Sequence, residues 1–234
     1  MISKRLGSVS LVVALLGAAA CGSSAKKVDP AADLATAKSA VLTAADLPGY
    51  TGAVHQKSDD LPAAQKKDFA TCMGVATTIF DDTPGAQKAD SEDFSKGTND
   101  EYQVSNSVEI DPKKSEIEST WKAISDPRAA GCLQKLFQAL FTSGAAGNPN
   151  AKFAAAKVVK FDPKVGDRSI GYAVTFSASD GTHAPVAFFG DVLFMPRDRA
   201  GMELQFFQIG SAPDRALETA LAQKVYDRVG TRAK

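Results

Sequence analysis

The chain reads as an α+β protein in which an antiparallel sheet of about five strands, mostly a C-terminal meander, is flanked by helices. Three observations predict this. Residues 153–209 fall into four runs of alternating apolar and polar side chains joined by short links rich in Gly, Pro and Asp. Residues 33–45, 61–80, 115–141 and 213–229 instead place apolar side chains at three- and four-residue steps. About 200 residues then remain beyond the N-terminal leader, enough to bury a core in one unit. The expected organisation is a leader over 1–20, a tether over 21–33 and one α+β domain over 34–234.

The leader comes first. Lys4 and Arg5 form a positive start, residues 9–16 are apolar, and Ala18, Ala19 and Ala20 are small enough for a signal peptidase. The apolar run is too short to span about 30 Å of hydrocarbon, which takes roughly 20 residues. Cys21 follows directly, so the stretch resembles a bacterial lipoprotein signal in which this cysteine becomes the acylated first residue of the mature chain. Such signals usually carry a large aliphatic residue three places before the cysteine, where this chain has Ala18. The alternative is a secreted protein cut near Ala20 with a free Cys21. Acylation would tie the chain to the membrane surface without a span. Residues 22–33 are small and polar and read as a tether reaching roughly 20 Å. The S-x-x-K spacing of Ser23 and Lys26 lies in this tether and reads as chance.

Past the leader, 25 basic side chains face 27 acidic ones, a net of two negative charges. Nucleic acid is excluded as a partner on that balance, because such affinity rests on many Lys and Arg contacts to phosphate. With Cys21 committed to lipid, Cys72 and Cys132 remain as an even pair in an oxidising compartment, and a disulfide is expected between them. A metal pair is the alternative, but the two histidines, His55 and His183, make no ligand cluster with them.

In chain order, Leu34, Ala37, Val41 and Leu42 share a face of a short helix that ends before Leu47, Pro48 and Gly49. Phe69, Cys72, Met73, Ala76 and Phe80 stripe a second helix over 61–80 and turn Cys72 toward the core. Residues 81–99 are acidic, bear Gly and Pro and hold few large apolar side chains, so they read as a solvated loop. Their carboxylates do not have the spacing of a calcium loop. Tyr102, Val104, Val108 and Ile110 alternate along a half-buried strand that Asn106 interrupts. Ser115 and Glu118 have the spacing of a capping box, and Asp126 with Pro127 opens the next helix, whose Leu133, Leu136, Phe137, Leu140 and Phe141 form a broad apolar face.

In the meander, Ile170, Tyr172, Val174 and Phe176 share one face, as do Val186, Phe188, Val192 and Phe194 next door. Ala173, Thr175, Ser177 and Ala187 make the other face thin, a place for a helix or a cleft. Leu217, Ala220, Leu221 and Val225 line the closing helix over 213–229.

The segment LTAADLPGY, a cysteine on a helix in each half of the helical region, and GDRSIGYAVTF followed by a meander and a closing helix resemble actinobacterial cell-envelope lipoproteins. More remotely they resemble the extracellular sensor domain of PknH-type receptor kinases. That resemblance implies an antiparallel sheet flanked by helices, disulfides, and a cleft for an unidentified ligand. The sensor carries two disulfides where this chain can make one, and none of its cleft residues carries over.

No spacing here specifies a reaction. The stretch from Gly166 to Gly171 lacks the G-x-S-x-G spacing of a nucleophile elbow, and Asp167 and Arg168 read as a turn pair entering a strand. His183 reads as an exposed loop histidine, Arg197, Asp198 and Arg199 as a solvated turn, and Trp121 as core. Phosphate-cradling glycine motifs are absent from the sequence. The expectation is therefore a lipid-anchored, non-catalytic module on the outer face of the cell membrane, with no catalytic residue, metal or cofactor, that binds an envelope ligand or a protein. A lipid carrier is the alternative, and an envelope hydrolase a further one.

Overall fold

A computed structural model describes residues 28–55, 61–79, 81–98, 101–145, 152–180 and 182–230. The leader, Cys21 and most of the tether lie outside the described residues. The helices are α1 (Pro30–Ala40), α2 (Ala63–Met73), α3 (Lys114–Ser125), α4 (Ala129–Ala145) and α5 (Arg215–Gly230). The strands are β1 (Thr51–Ala53), β2 (Gln87–Asp90), β3 (Asp93–Lys96), β4 (Tyr102–Ile110), β5 (Lys152–Phe153), β6 (Lys157–Phe161), β7 (Ile170–Ser179), β8 (Val186–Arg197) and β9 (Ala200–Ile209). They form one antiparallel sheet in the order β1-β3-β4-β9-β8-β7-β5, with β2 added to β4 and β6 to β7.

The sheet is thus larger than the five strands expected, for three reasons. Thr51–Ala53 pair with β3 as β1. Residues 81–99 hold β2 and β3, which are four residues long and bury one apolar side chain each, Ala89 and Phe94. Residues 153–161 break into β5 and β6, both paired with β7. The boundary of the tether also moves. Asp29 caps α1, its Oδ1 accepting from the backbone N–H groups of Ala31 and Ala32 at 3.0 and 3.2 Å. Residues 30–33 are therefore helical, and Asp33 pairs with Arg199 at 2.7 Å. The second helix stops at Met73 because Gly74 takes the left-handed conformation, φ 67°. In α3 the capping acid is Glu116, which accepts from the Lys113 N–H at 3.3 Å, rather than Glu118.

Strand register divides the side chains between two faces. On one, Val104, Val108 and Ile110 of β4, Met202, Leu204 and Phe206 of β9, and Leu193 and Met195 of β8 pack beneath α1 and α5. On the other, Ile170, Tyr172, Val174 and Phe176 of β7 and Phe194 of β8 pack against Phe69 and Met73 of α2 and Leu133, Leu136 and Phe137 of α4. Cys72 and Cys132 join α2 to α4 with an S–S bond of 2.03 Å, the pairing that the cysteine count implies. The two helical layers are offset, each covering a different part of the sheet.

Both motifs behind the resemblance have structural work. In LTAADLPGY, Asp46 accepts from Arg228 at 2.7 and 2.9 Å and from the Thr43 N–H at 2.9 Å, while Lys224 lies 3.2 Å away. Those donors overcome burial, which acts the other way, and hold its carboxyl well below the usual range. Asn106, the polar break in β4, accepts from the Leu42 N–H at 2.8 Å and so fastens the same segment to the sheet. In GDRSIGYAVTF, Gly166 has φ +60° and faces the Tyr226 ring so closely that a Cβ would lie 2.2 Å from it. Arg168 is a clamp rather than a turn residue: it forks onto Glu118 of α3 at 2.5 and 2.8 Å and lies 5.2 Å from the Trp121 ring. The turn between β8 and β9 is likewise committed, with Arg197 over the Tyr226 ring and Arg199 on Asp33.

Beneath α5 a second pair of acids is enclosed. Asp191 and Glu218 are 2 % and 1 % exposed, and Arg215 reaches both, at 3.0 and 2.9 Å. Burial pushes both carboxyls up, and Asp191 raises Glu218 further, to about 8. The folded chain thus holds a proton on this pair that the unfolded chain has released above about pH 4.5. Stability from this source is complete below that pH and is lost as pH rises through 8. The expected slope is at most about 1.4 kcal/mol per pH unit for one proton. Glu218→Gln should flatten it, as read by urea denaturation across that range. Breaking the disulfide closes off a different contribution: Cys72→Ser should cost about 4 kcal/mol, the chain-entropy value for a loop of this length, measured by denaturant midpoint without reductant.

Candidate functional site

The offset layers leave one region of sheet bare. On the face that α2 and α4 cover at β7, the neighbouring strands β4 and β9 carry Gln103, Ser105, Ser107, Glu109, Glu203, Gln205 and Phe207, with Lys88 and Asp90 alongside on β2. Among the described residues no helix covers this stretch fully; α3 closes one end with Trp121 and Ile117, and α4 the other with Phe137 and Phe141. The result is a trough over the sheet. The sequence marked the opposite face, over Ala173, Thr175, Ser177 and Ala187, as the thin one, to be covered by a helix or left as a cleft. Register puts the depression on the Phe176 side instead, because cover rather than side-chain size decides where the sheet is open.

Two strand glycines shape it. Gly190 on β8 faces into the trough, and the cavity above it, about 120 Å³, is walled by Phe137, Phe141, Phe176, Val174, Val192 and Phe207. A Cβ on Gly190 would meet just the Phe206 carbonyl oxygen, at 3.7 Å, so the hollow exists because the residue is glycine. Gly201 on β9 lets Ile117 of α3 pack close, since a Cβ there would lie 3.2 Å from Ile117 Cδ1, and beside it a cavity of about 60 Å³ opens between Trp121 and the acids Glu109, Asp111 and Glu203. Glu203 and Lys88 line both this hollow and a shallow middle section, and Ser105 and Gln205 continue it to the Gly190 hollow. Gly201 pairs with Pro196, six residues along β8 from Gly190, so the hollows lie roughly 20 Å apart along the strand.

Their chemistry differs. The Gly190 hollow is aromatic: the Phe141 and Phe176 rings are 3.8 Å apart, Phe176 and Phe188 4.9 Å, and Phe188 and Phe207 5.8 Å. The Gly201 hollow is acidic. Burial, then the neighbouring Asp111 charge, pushes the Glu109 carboxyl up, and burial followed by Glu116 does the same to Asp111. Burial also raises Glu203, to about 7. The opposing influences are Lys88 on Glu109, the hydrogen bonds with Thr83 and Glu109 and then Arg199 on Asp111, and the Gln205 hydrogen bond and then Lys88 on Glu203. Both cations are engaged elsewhere: Lys88 lies 3.3 Å from Asp90, and Arg199 forks onto Asp33 while donating to the Asp111 carbonyl oxygen at 2.8 Å.

Beyond the apolar face of α4 and the meander, Trp121 and His55 are the residues weighed for chemistry in the sequence that reach the trough. Trp121 is half-buried and packs against the α2–α4 core as expected, and it also walls the acidic hollow. His55 stands at the middle section with its Nδ1 2.7 Å from Asp93. His183 is 80 % exposed in the β7–β8 loop against Asp180, as a loop histidine should be. Cys72 and Cys132 lie away from the trough in the α2–α4 layer. Glu109, Asp111 and Glu203 carried no signal of their own, since each looks like the polar phase of an amphipathic strand. The interior glycines Gly190 and Gly201 were the readable sign of a close approach to the sheet. Glu203 should titrate near pH 7 in a carboxyl carbon NMR titration; a midpoint at the ordinary Glu value would mean a solvated side chain.

Among the described residues no group of three or more His, Cys, Asp or Glu side chains could hold a metal ion, and no helix is long and apolar enough to cross a membrane. No protein-family model matches the chain, and no curated protein matches it in sequence. Among solved structures it is similar to CyanoP, the cyanobacterial PsbP of Synechocystis sp. PCC 6803, at 12 % identity over 79 % of this chain and 81 % of that one, TM-score 0.35. It is also similar to the extracellular domain of PknH from Mycobacterium tuberculosis, at 13 % identity over 76 % of this chain and 99 % of that one, TM-score 0.31. Nothing about this chain's ligand or partner follows from likenesses at this level.

Proposed function

We propose that the chain is a lipid-anchored protein of the outer face of the cell membrane whose folded part is a non-catalytic binding module, and that the trough is its binding site. The observation that carries this reading is the pair of hollows over Gly190 and Gly201, joined by a polar floor on an uncovered sheet face. Ligand sites are concave, mostly apolar and marked by a few convergent polar groups, which is the composition of this trough. Its histidine is held by Asp93, so the groups it offers are suited to hydrogen bonding and apolar contact. The anchor rests on the residues from Met1 to Ser24, with Cys21 as the acylated position. The lipid-carrier reading fits less well. A cavity near 120 Å³ accepts a ring or a short branched chain, and acyl chains need several times that.

Two measurements test the two halves. The full-length chain should sediment with membranes, and Cys21→Ser should release it to the soluble fraction; unchanged membrane association would remove the anchor. Native mass spectrometry of protein extracted from its own membrane should show a bound small molecule that Gly190→Leu, by filling the aromatic hollow, expels. Retention of that molecule by the variant would place binding elsewhere.

A further inference from the structure

The acidic hollow has a charge imbalance that the fold itself does not answer. Three carboxyls from two adjacent strands, Glu109, Asp111 and Glu203, line one small cavity. Asp111 is 2 % exposed, and although its side chain hydrogen-bonds with Thr83 and with Glu109, its Oδ1 has no hydrogen-bond partner. Leaving such an acceptor unpaired costs roughly 1–3 kcal/mol. The charged groups that face the cluster from surrounding elements are Asp82 before β2, Lys88 and Asp90 on β2, Glu116 on α3 and Arg199 at the β8–β9 turn. Acids outnumber bases among them, and Lys88 and Arg199 are already matched by Asp90 and Asp33. Thr83, Gln205 and the hydrogen bond between Glu109 and Asp111 answer part of this demand, and a cationic donor beside Asp111 Oδ1 would answer the rest. An anion would meet like charge, and a neutral hydroxyl would satisfy Asp111 Oδ1 while leaving the charge unanswered.

Size and position narrow the class. A cavity of about 60 Å³ takes a small polar head group. Trp121 on its wall offers an aromatic surface of the kind that attracts ammonium and guanidinium groups. From this end the floor runs over Ser107, Ser105 and Gln205 to the phenylalanines around Gly190. Glu203 pairs with Phe194, four residues along β8 from Gly190 and so roughly 14 Å away.

We infer that the trough takes an organic cation: an ammonium or guanidinium end seats between Trp121 and the Glu109, Asp111 and Glu203 carboxyls, while an apolar end fills the hollow over Gly190. This inference rests on the trough being the binding site. Binding such a cation favours the ionised carboxyls, whose burial otherwise holds them partly protonated, so association releases protons and tightens as pH rises through neutrality.

The test uses the full-length chain and three probes of one shape, 6-phenylhexylamine, 6-phenylhexanol and 6-phenylhexanoate, followed by calorimetry in two buffers of different ionisation enthalpy. The amine should bind at least about tenfold more tightly than the alcohol, the value of one charge-assisted hydrogen bond, and the carboxylate more weakly than either. The amine alone should release protons. Asp111→Asn and Glu203→Gln, each close to isosteric, should erase the preference for the amine over the alcohol by weakening the amine more than the alcohol. Equal affinity for amine and alcohol, survival of the preference in both variants, or no binding of the amine at millimolar concentration would overturn the cation assignment. Gly190→Leu separates this from the reading beneath it: it should weaken every probe, and if it weakens none, the trough itself is not the site.

Discussion

Everything distinctive about this chain follows from one constraint: five helices, among the described residues, are shared between two faces of a nine-stranded sheet. Each face of a sheet either buries apolar side chains under a second layer or stays polar toward water. Here α1 and α5 cover β4, β9 and β8 from one side, and α2 and α4 cover β6, β7 and part of β8 from the other. Strand β8 belongs to both cores, contributing Leu193 and Met195 to one and Phe194 to the other. The overlap at β8 ties the two layers together, and the remainder of β4 and β9 is left as open floor.

The clamps in the sequence maintain that offset. Asp46 with Arg228 and Asn106 with Leu42 fix the first layer to the sheet. Arg168 with Glu118, reinforced by the hydrogen bond from the Tyr172 hydroxyl to the Ile124 carbonyl oxygen, fixes α3 across the end of the other face. The disulfide closes the α2–α4 layer. Segments that looked like family signatures are the points where one layer is pinned to the next, and the end of GDRSIGYAVTF also supplies Val174 and Phe176 to the wall of the aromatic hollow.

Much of this was legible. The alternation of β4, β7, β8 and β9 and the stripes of α4 and α5 state their elements plainly, because a two-residue or 3.6-residue period over ten or more residues is hard to produce otherwise. Strands β2 and β3 were not legible: with one buried apolar residue each, Ala89 and Phe94, they carry no period. The trough was hidden for a different reason. Glu109 and Glu203 come together through the pairing of β4 with β9, strands separated by some ninety residues, and no local pattern announces that partnership. Asn106 was the exception, a polar residue on the buried phase of a strand that asked for a specific partner and has one in the Leu42 N–H.

The two groups of buried acids show why access, rather than perturbed protonation, marks a site. Asp191 and Glu218 share a proton between β8 and α5, with Arg215 on both carboxyls and its guanidinium 3.6 Å from the Phe161 ring, so their cation is supplied by the fold. Glu109, Asp111 and Glu203 are desolvated too, but the nearby cations are matched by other acids and the space beside them is open. Like-charged carboxyls crowded on adjacent strands destabilise a sheet. A fold selected for stability alone would replace Glu109 and Glu203 with the serine and glutamine that occupy the same face one step away. The Asp191–Glu218 pair has Arg215 as an internal counterion, whereas the Glu109, Asp111 and Glu203 carboxyls line an accessible cavity, and that difference in access is what sets the second group apart.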